Sequence, residues 1–199
     1  MTQSLPFYIR EDDPPAKREI LRAALKLFSE GGLAATSIRD IADESGYTNP
    51  ALYKHFATKQ DLALHLFETC HRRLWTRCAA AIASAKDFEG KVEAYVTQWL
   101  KLADKNPEVL AFLSESARVL WPKASPEVRK KTMISLAHSL VSEAPQTRRR
   151  SSGLNSDLVA ASLQGTLAEL FRMIQVGVVG GSAMRRKAEL VTLYMKILG

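Results

Sequence analysis

Between Gly46 and Gln60 the sequence reads GYTNPALYKHFATKQ, fifteen residues with two lysines, one histidine, two tyrosines and no carboxylate. A hydroxyl (Thr48), an amide (Asn49), a phenol (Tyr53), an ammonium (Lys54) and an imidazole (His55) fall within eight positions. Amides and hydroxyls can meet base edges, and cations, phenols and imidazoles can hold phosphate oxygens, whereas a carboxylate would repel them. The chemistry this segment can do is therefore binding to a polyanion. His55 taken alone is more simply a surface histidine, and only its neighbours lend it another meaning.

The rest of the chain offers little chemistry of other kinds. No His-x-x-Glu, paired-carboxylate or Ser/His/Asp arrangement stands out in residues 85–199, so an all-helical enzyme lacks its acid and base. Cys70 and Cys78 lie eight residues apart on one helical pattern with only His71 nearby, too few ligands for a metal or redox site. No metal and no cofactor is expected. Two cysteines cannot build a disulfide scaffold, and a reducing cytoplasm is the expected compartment. The opening residues MTQSLPFYIREDDPP lack the apolar stretch of a secretion signal, and no run of about 18 apolar residues could cross a membrane.

Elements that could position the polar segment are legible on either side of it. After Asp13 and the Pro14-Pro15 pair, Ile20, Leu21, Ala24, Leu25, Leu27 and Phe28 recur at helical spacing until Gly31-Gly32. Thr36-Ser37 caps a second, short helix with Ile38, Ile41 and Ala42 on its apolar face, closed by Gly46. Thr48 begins a third, and Thr58 to Asp61 reads as a capping box for a long fourth, to about Ser84. Further helices are predicted over 88–105, 107–121, 126–144, 157–178 and 183–198, with no strand. The expected fold is all-α, with a flexible arm at 1–13, a helix-turn-helix domain at 14–60 and a second helical domain at 61–199. Pro145 to Ser156 is a polar loop whose arginines, Arg148 to Arg150, have no assigned role.

Net charge alone would mislead. The chain of 199 residues carries +7, yet residues 1–60 balance eight basic against eight acidic side chains, and the excess lies after residue 85. A charge of this sign invites nucleic acid as partner, but the local pattern is the better guide. Two short helices joined through Gly46 and Tyr47, braced by a longer one, make a helix-turn-helix, and a major groove admits one such helix.

Residues 18–62 resemble the DNA-binding domain of the TetR family of transcriptional regulators. The likeness is carried by Arg18-x-Glu-Ile20-Leu21-x-Ala23-Ala24-x-x-Leu27-Phe28, Gly31/Gly32, Thr36-Ser37, Ile41-Ala42, Gly46 and Ala51-Leu52-Tyr53-x-His55-Phe56-x-x-Lys59-x-x-Leu62. The resemblance implies that Thr36, Ser37 and Arg39 touch phosphates from the second helix. It implies further that Thr48, Asn49, Pro50 and Ala51 face bases, while Tyr53, Lys54, His55 and Lys59 grip phosphates. The tip departs from many relatives: Ala51 offers only a methyl, so readout by hydrogen bonds rests on Asn49 and Thr48.

The resemblance also implies a homodimer, double-stranded operator DNA as partner, and a small-molecule effector bound in the second domain. Candidate effector contacts are His71, Trp75, Trp99, Phe112, Glu115, Gln164 and Phe171, side chains that are otherwise ordinary core and surface. The steps of Leu163, Leu167, Leu170 and Ile174, and of Met184, Ala188, Val191 and Met195, suit a dimer seam of two helix pairs, or packing within one subunit. The expected function is a repressor released by a small apolar ligand, the alternative an activator or effector-free regulator. A helical protein-interaction module is the rival outside this class, and it would not need an acid-free tip.

Overall fold

The computed structural model describes residues 6–145 and 154–199, and among these it is helical with no strand. In order the helices are α1 (Pro15–Ala35), α2 (Ile38–Ser45), α3 (Asn49–Tyr53), α4 (Lys59–Ala83), α5 (Phe88–Lys105), α6 (Pro107–Leu120), α7 (Pro126–Lys130), α8 (Met133–Glu143), α9 (Ser156–Gln175) and α10 (Lys187–Leu198). Single 3₁₀ turns stand at Trp121–Lys123 and Ala183–Arg186. The Arg148–Arg150 run lies outside the described residues.

Two compact units emerge: residues 1–73 with 106–129, and residues 74–105 with 130–199. They are interleaved along the chain, whereas the sequence alone suggests two successive domains. The reason in the first unit is a second use of α1. Its buried face of Ile20, Leu21, Ala24, Leu25 and Phe28 packs on α6 as well as on α2, and Phe28 stacks on Phe112 with ring centroids 5.7 Å apart. In the second unit α9 lies against α8, and α10 against α5.

Three local expectations need correction. Gly31-Gly32 does not end α1; the chain kinks at Gly32, where φ of +81° suits glycine, and turns helically again to Ala35. The helix expected over 126–144 is two, because Thr132 forms a capping box with Ser135 and starts α8 afresh. Residues 6–13 do not trail as a flexible arm, since Phe7, Tyr8 and Ile9 are buried.

Long-range polar contacts complete the second unit. The Asp104 carboxylate, near the end of α5, accepts from the Ala183 amide at 2.6 Å, the Met184 amide at 3.1 Å and the Ser182 hydroxyl. The Tyr95 hydroxyl donates to Gln164 Oε1 at 2.7 Å, and the Tyr194 hydroxyl to the Leu163 carbonyl.

Candidate nucleic-acid interface

The α2–α3 corner is built from short-range chemistry. Ser37 Oγ accepts from the Asp40 amide at 3.1 Å, and the Asp40 carboxylate accepts from the Ser37 amide at 2.7 Å, a reciprocal cap. These bonds from Ser37 hold the Asp40 carboxyl below its ordinary value. Gly46 then takes the left-handed conformation (φ 72°, ψ 16°), so that its amide returns to the end of α2 and the chain can turn into α3. Leu52 and Phe56 are buried and pin α3 from beneath. The Lys26 ammonium of α1 meets the Glu44 carboxylate of α2 at 2.7 Å and braces the pair.

This leaves an open face. Thr48, Asn49, Pro50, Tyr53 and Lys54 are exposed, and Ala51 and His55 are half-buried beside them. Tyr53 is a large aromatic with 54% of its surface in solvent, which packing alone does not explain. Thr48 stands at the start of α3 without a side-chain capping bond, so its hydroxyl is not committed to the helix. Ser37 and Arg39 are exposed on the neighbouring helix, with Arg39 only loosely paired to Asp43 at 4.0 Å.

Two residues assigned to phosphate from sequence are placed otherwise. Thr36 is buried, and its hydroxyl donates to the Gly32 carbonyl at 3.0 Å, tying off the end of α1. Lys59 sends its ammonium to the carbonyls of Leu33 at 2.7 Å and Thr36 at 2.6 Å. The helix end following the Gly32 kink leaves carbonyls without intrahelical partners, and a cation there satisfies them. Lys59 therefore shapes the corner first, and an ammonium with two of its three donors so engaged has one left for an anion.

The expected effector contacts divide between the units. In the first, Phe67 meets His71 (centroids 4.4 Å), Phe112 (6.4 Å) and Trp121 (6.4 Å), while Glu115 is exposed on α6. His71 Nε2 is buried without a partner, and burial depresses the imidazole to about 4. In the second, Trp99 and Phe171 meet edge to face at 6.1 Å, Gln164 accepts from Tyr95, and Lys131 lies over the Trp75 ring at 5.3 Å. Phe67 and Tyr95, which touch these residues, are not among the expected contacts; the spacing of Phe67 four residues before His71 is the signal that could find the former. Both cysteines are buried, with burial pushing the Cys78 thiol up to about 12, so neither is a reactive thiolate. Among the described residues no group of three or more His, Cys, Asp or Glu could hold a metal, and no helix is long and apolar enough to cross a membrane.

The residues of the expected dimer seam do not share one open face. Leu163 and Leu167 are fully buried within the second unit together with Ala160, and Phe171 is nearly so. Ile174, Met184, Val191 and Met195 are half-buried and Ala188 is exposed. An open groove of about 740 Å³ runs along a neighbouring stripe that shares Leu170 with the expected seam, lined also by Ser162, Gly165, Thr166, Glu169 and Met173 of α9, Val179, and Arg186, Glu189, Leu190 and Leu193 at α10. Leu158, Val176 and Val178 are apolar residues of α9 and the turn after it with more than half their surface exposed.

Residues 20–66 match the family of bacterial regulatory proteins described as the tetR family. The HTH-type transcriptional repressor KstR2 of Rhodococcus jostii is 31% identical over 104 residues, 52% of this chain and 51% of that protein. The chain thus spans about half the length of the curated relatives it matches. Across almost the full chain the fold is that of the ketosteroid transcriptional regulator KstR2 of Mycobacterium tuberculosis (TM-score 0.77, 20% identity, 96% of this chain and 97% of that one). It is also that of the transcriptional regulator FadR from Bacillus subtilis in complex with stearoyl-CoA (TM-score 0.70, 16% identity, 91% and 98%). At such identities these two likenesses concern the fold alone. The α1–α4 corner is the part that matches in sequence as well, and there residues 20–66 are similar to the tetR family of bacterial regulatory proteins.

Proposed function

We propose that the protein is a homodimeric transcriptional regulator, a repressor that leaves its operator when a small apolar molecule binds. In this reading residues 14–60 bind DNA, and residues 61–199 hold the effector and the dimer contact. The observation that carries it is the exposed, carboxylate-free face of α3, with Asn49 and Thr48 at its start and Tyr53 and Lys54 at its end. In this reading Asn49 reads a base edge, and Tyr53, Lys54 and His55 hold phosphates, assisted by Ser37 and Arg39 from α2.

The effector is read as apolar from two lines. The described residues carry aromatic clusters around Phe67 and around Trp99, and the FadR of similar fold is described with stearoyl-CoA. A ligand that prefers one of two conformations must weaken operator binding by the factor that operator weakens ligand binding, about 1–3 kcal/mol in typical cases. The helix that can carry such a change is α4, which gives residues up to Arg73 to the first unit and residues from Leu74 to the second.

In this reading dimerisation uses the open α9–α10 groove, where Leu170 and Met173 are half-buried and Leu193 is exposed, with Leu158 exposed elsewhere on α9. The test is selection of bound fragments from random duplex DNA at two salt concentrations. Recovery of an inverted repeat, with half-sites one helical turn (about 34–36 Å) or a multiple apart and strong salt dependence, is the expected result. Retention of no sequence over any other would overturn the reading.

A further inference from the structure

Three consecutive side chains near the start of the described chain, Phe7, Tyr8 and Ile9, retain only 4%, 8% and 1% of their surface. A helix or strand lying on a surface buries alternate or every third or fourth residue, not three in a row. Such a run requires a segment seated in a groove. The segment is wound into two turns, with the Ile9 amide donating to the Pro6 carbonyl at 3.0 Å and the Asp13 amide to the Arg10 carbonyl at 3.2 Å.

Arginines hold it from both sides. Arg73 of α4 donates through Nη1 to the Phe7 carbonyl at 2.6 Å and the Ile9 carbonyl at 2.8 Å. Arg18 of α1 donates to the Asp13 carbonyl through Nε and to the Glu11 carbonyl through Nη2, each at 2.7 Å. The buried Asp13 carboxylate meets Lys17 of α1 at 2.7 Å. Burial raises the Tyr8 phenol to about 12, and the next influences on it are Glu108 of α6 and Arg22 of α1. One short segment thus answers to α1, α4 and α6 together, and Arg73 is the last residue that α4 gives to the first unit.

We propose that residues 6–13 are a strap closed by Arg73, which fixes α4 against the rest of the first unit and so sets the geometry in which α3 is presented. The guanidinium keeps its charge at any pH and holds its donors in a fixed plane, so Nη1 meets both carbonyls with little freedom left to lose. The consequence for DNA rests on the function proposed above; the consequence for α4 does not.

The experiment compares the full chain with Arg73→Gln, Arg73→Lys and the pair Phe7→Ser/Ile9→Ser. Amide hydrogen exchange and affinity for the selected DNA fragment are read on each. Arg73→Gln is expected to speed exchange over residues 62–73 at least tenfold and to weaken the fragment at least tenfold, with exchange in α9 unchanged. Arg73→Lys should fall between it and the parent. Should the paired serine variant fail to fold, the two Arg73 variants still decide the matter. Faster exchange confined to residues 6–13 would overturn the strap; faster exchange in α4 with affinity kept within twofold would overturn its bearing on α3. A parent chain that binds no DNA would defeat the functional reading while the exchange data still judged the strap.

Discussion

Lys59 donates its ammonium to the carbonyl of Thr36 at 2.6 Å, joining the start of α4 to the end of α1. The family resemblance gives each of these residues a separate phosphate contact, and the fold sets them side by side for another reason. A lysine that satisfies helix-end carbonyls belongs to the scaffold, and its loss should register before any DNA is added.

Lys59→Ala is therefore expected to lower stability by about 2 kcal/mol, the scale of losing hydrogen bonds to a charged donor. Lys54→Ala, at an exposed site on the open face, should leave stability unchanged. Denaturant midpoints of the two variants make the comparison. With DNA present, Lys54→Ala should reduce the log–log salt slope by about 0.9 for each phosphate that is no longer neutralised. Equal stability for both would return Lys59 to the phosphate surface.

Asn49→Ala should relax preference at one position of each half-site, by about 1–3 kcal/mol, and leave the salt slope nearly as it was. Tyr53→Phe removes only a hydroxyl from an exposed ring, so affinity should fall by about 1 kcal/mol with specificity intact. Binding to a panel of single-base variants of the selected fragment reads both. A changed base preference in Tyr53→Phe, with none in Asn49→Ala, would mean that α3 lies in the groove the other way round.

Charge placed on the two stripes of α9 and α10 should have opposite consequences. Leu167→Glu puts a carboxylate into a fully buried position and is expected to unfold the second unit. Leu193→Glu places it on the groove rim, and should yield folded monomers by sedimentation, with helical content retained by circular dichroism. A dimer that survives Leu193→Glu would move the interface to another face.

Acid stability should depend on two histidines. Burial lowers His71 to about 4 and lowers His65 as well, with Lys17 adding to the effect there. Both imidazoles are held neutral in the folded state, and an unfolded chain takes up their protons from about 6.5 downward. For His71 the stability contributed this way is intact above pH 6.5 and falls as pH drops toward 4, by up to about tenfold in the folding equilibrium per pH unit, and His65 acts in the same direction. Urea midpoints between pH 4 and 7 should show a shallower acid limb in His71→Phe, and an unchanged limb would place the sensitivity elsewhere.

Much of the α2–α3 corner was legible because its signals are local. The Ser37–Asp40 cap, the Gly46 turn, the Thr58–Asp61 cap and the carboxylate-free stretch around Tyr53 each lie within a few residues of their partners. Apart from the Gly32 kink and the Thr132–Ser135 cap, what failed depended on a distant neighbour. Phe7, Tyr8 and Ile9 carry no periodicity, and only Arg73, more than sixty residues away, shows why they are buried. On α9 two stripes at the same helical spacing compete. The stripe richer in leucine faces inward, while Ser162, Gly165 and Glu169 dilute the one that faces out. Periodicity reports that a stripe exists and is silent on what covers it.

The Asp104 carboxylate that fastens the turn before α10 stands 78 to 80 residues ahead of its partners. During synthesis that carboxylate must wait for all of the chain between, and α10 reaches its place against α5 only after α6 to α9 have left the ribosome. The groove between α9 and α10 is accordingly a late feature of the fold. A chain still short of α10 cannot pair there with a neighbour on the same messenger, so assembly through this face would join subunits whose earlier helices are already made.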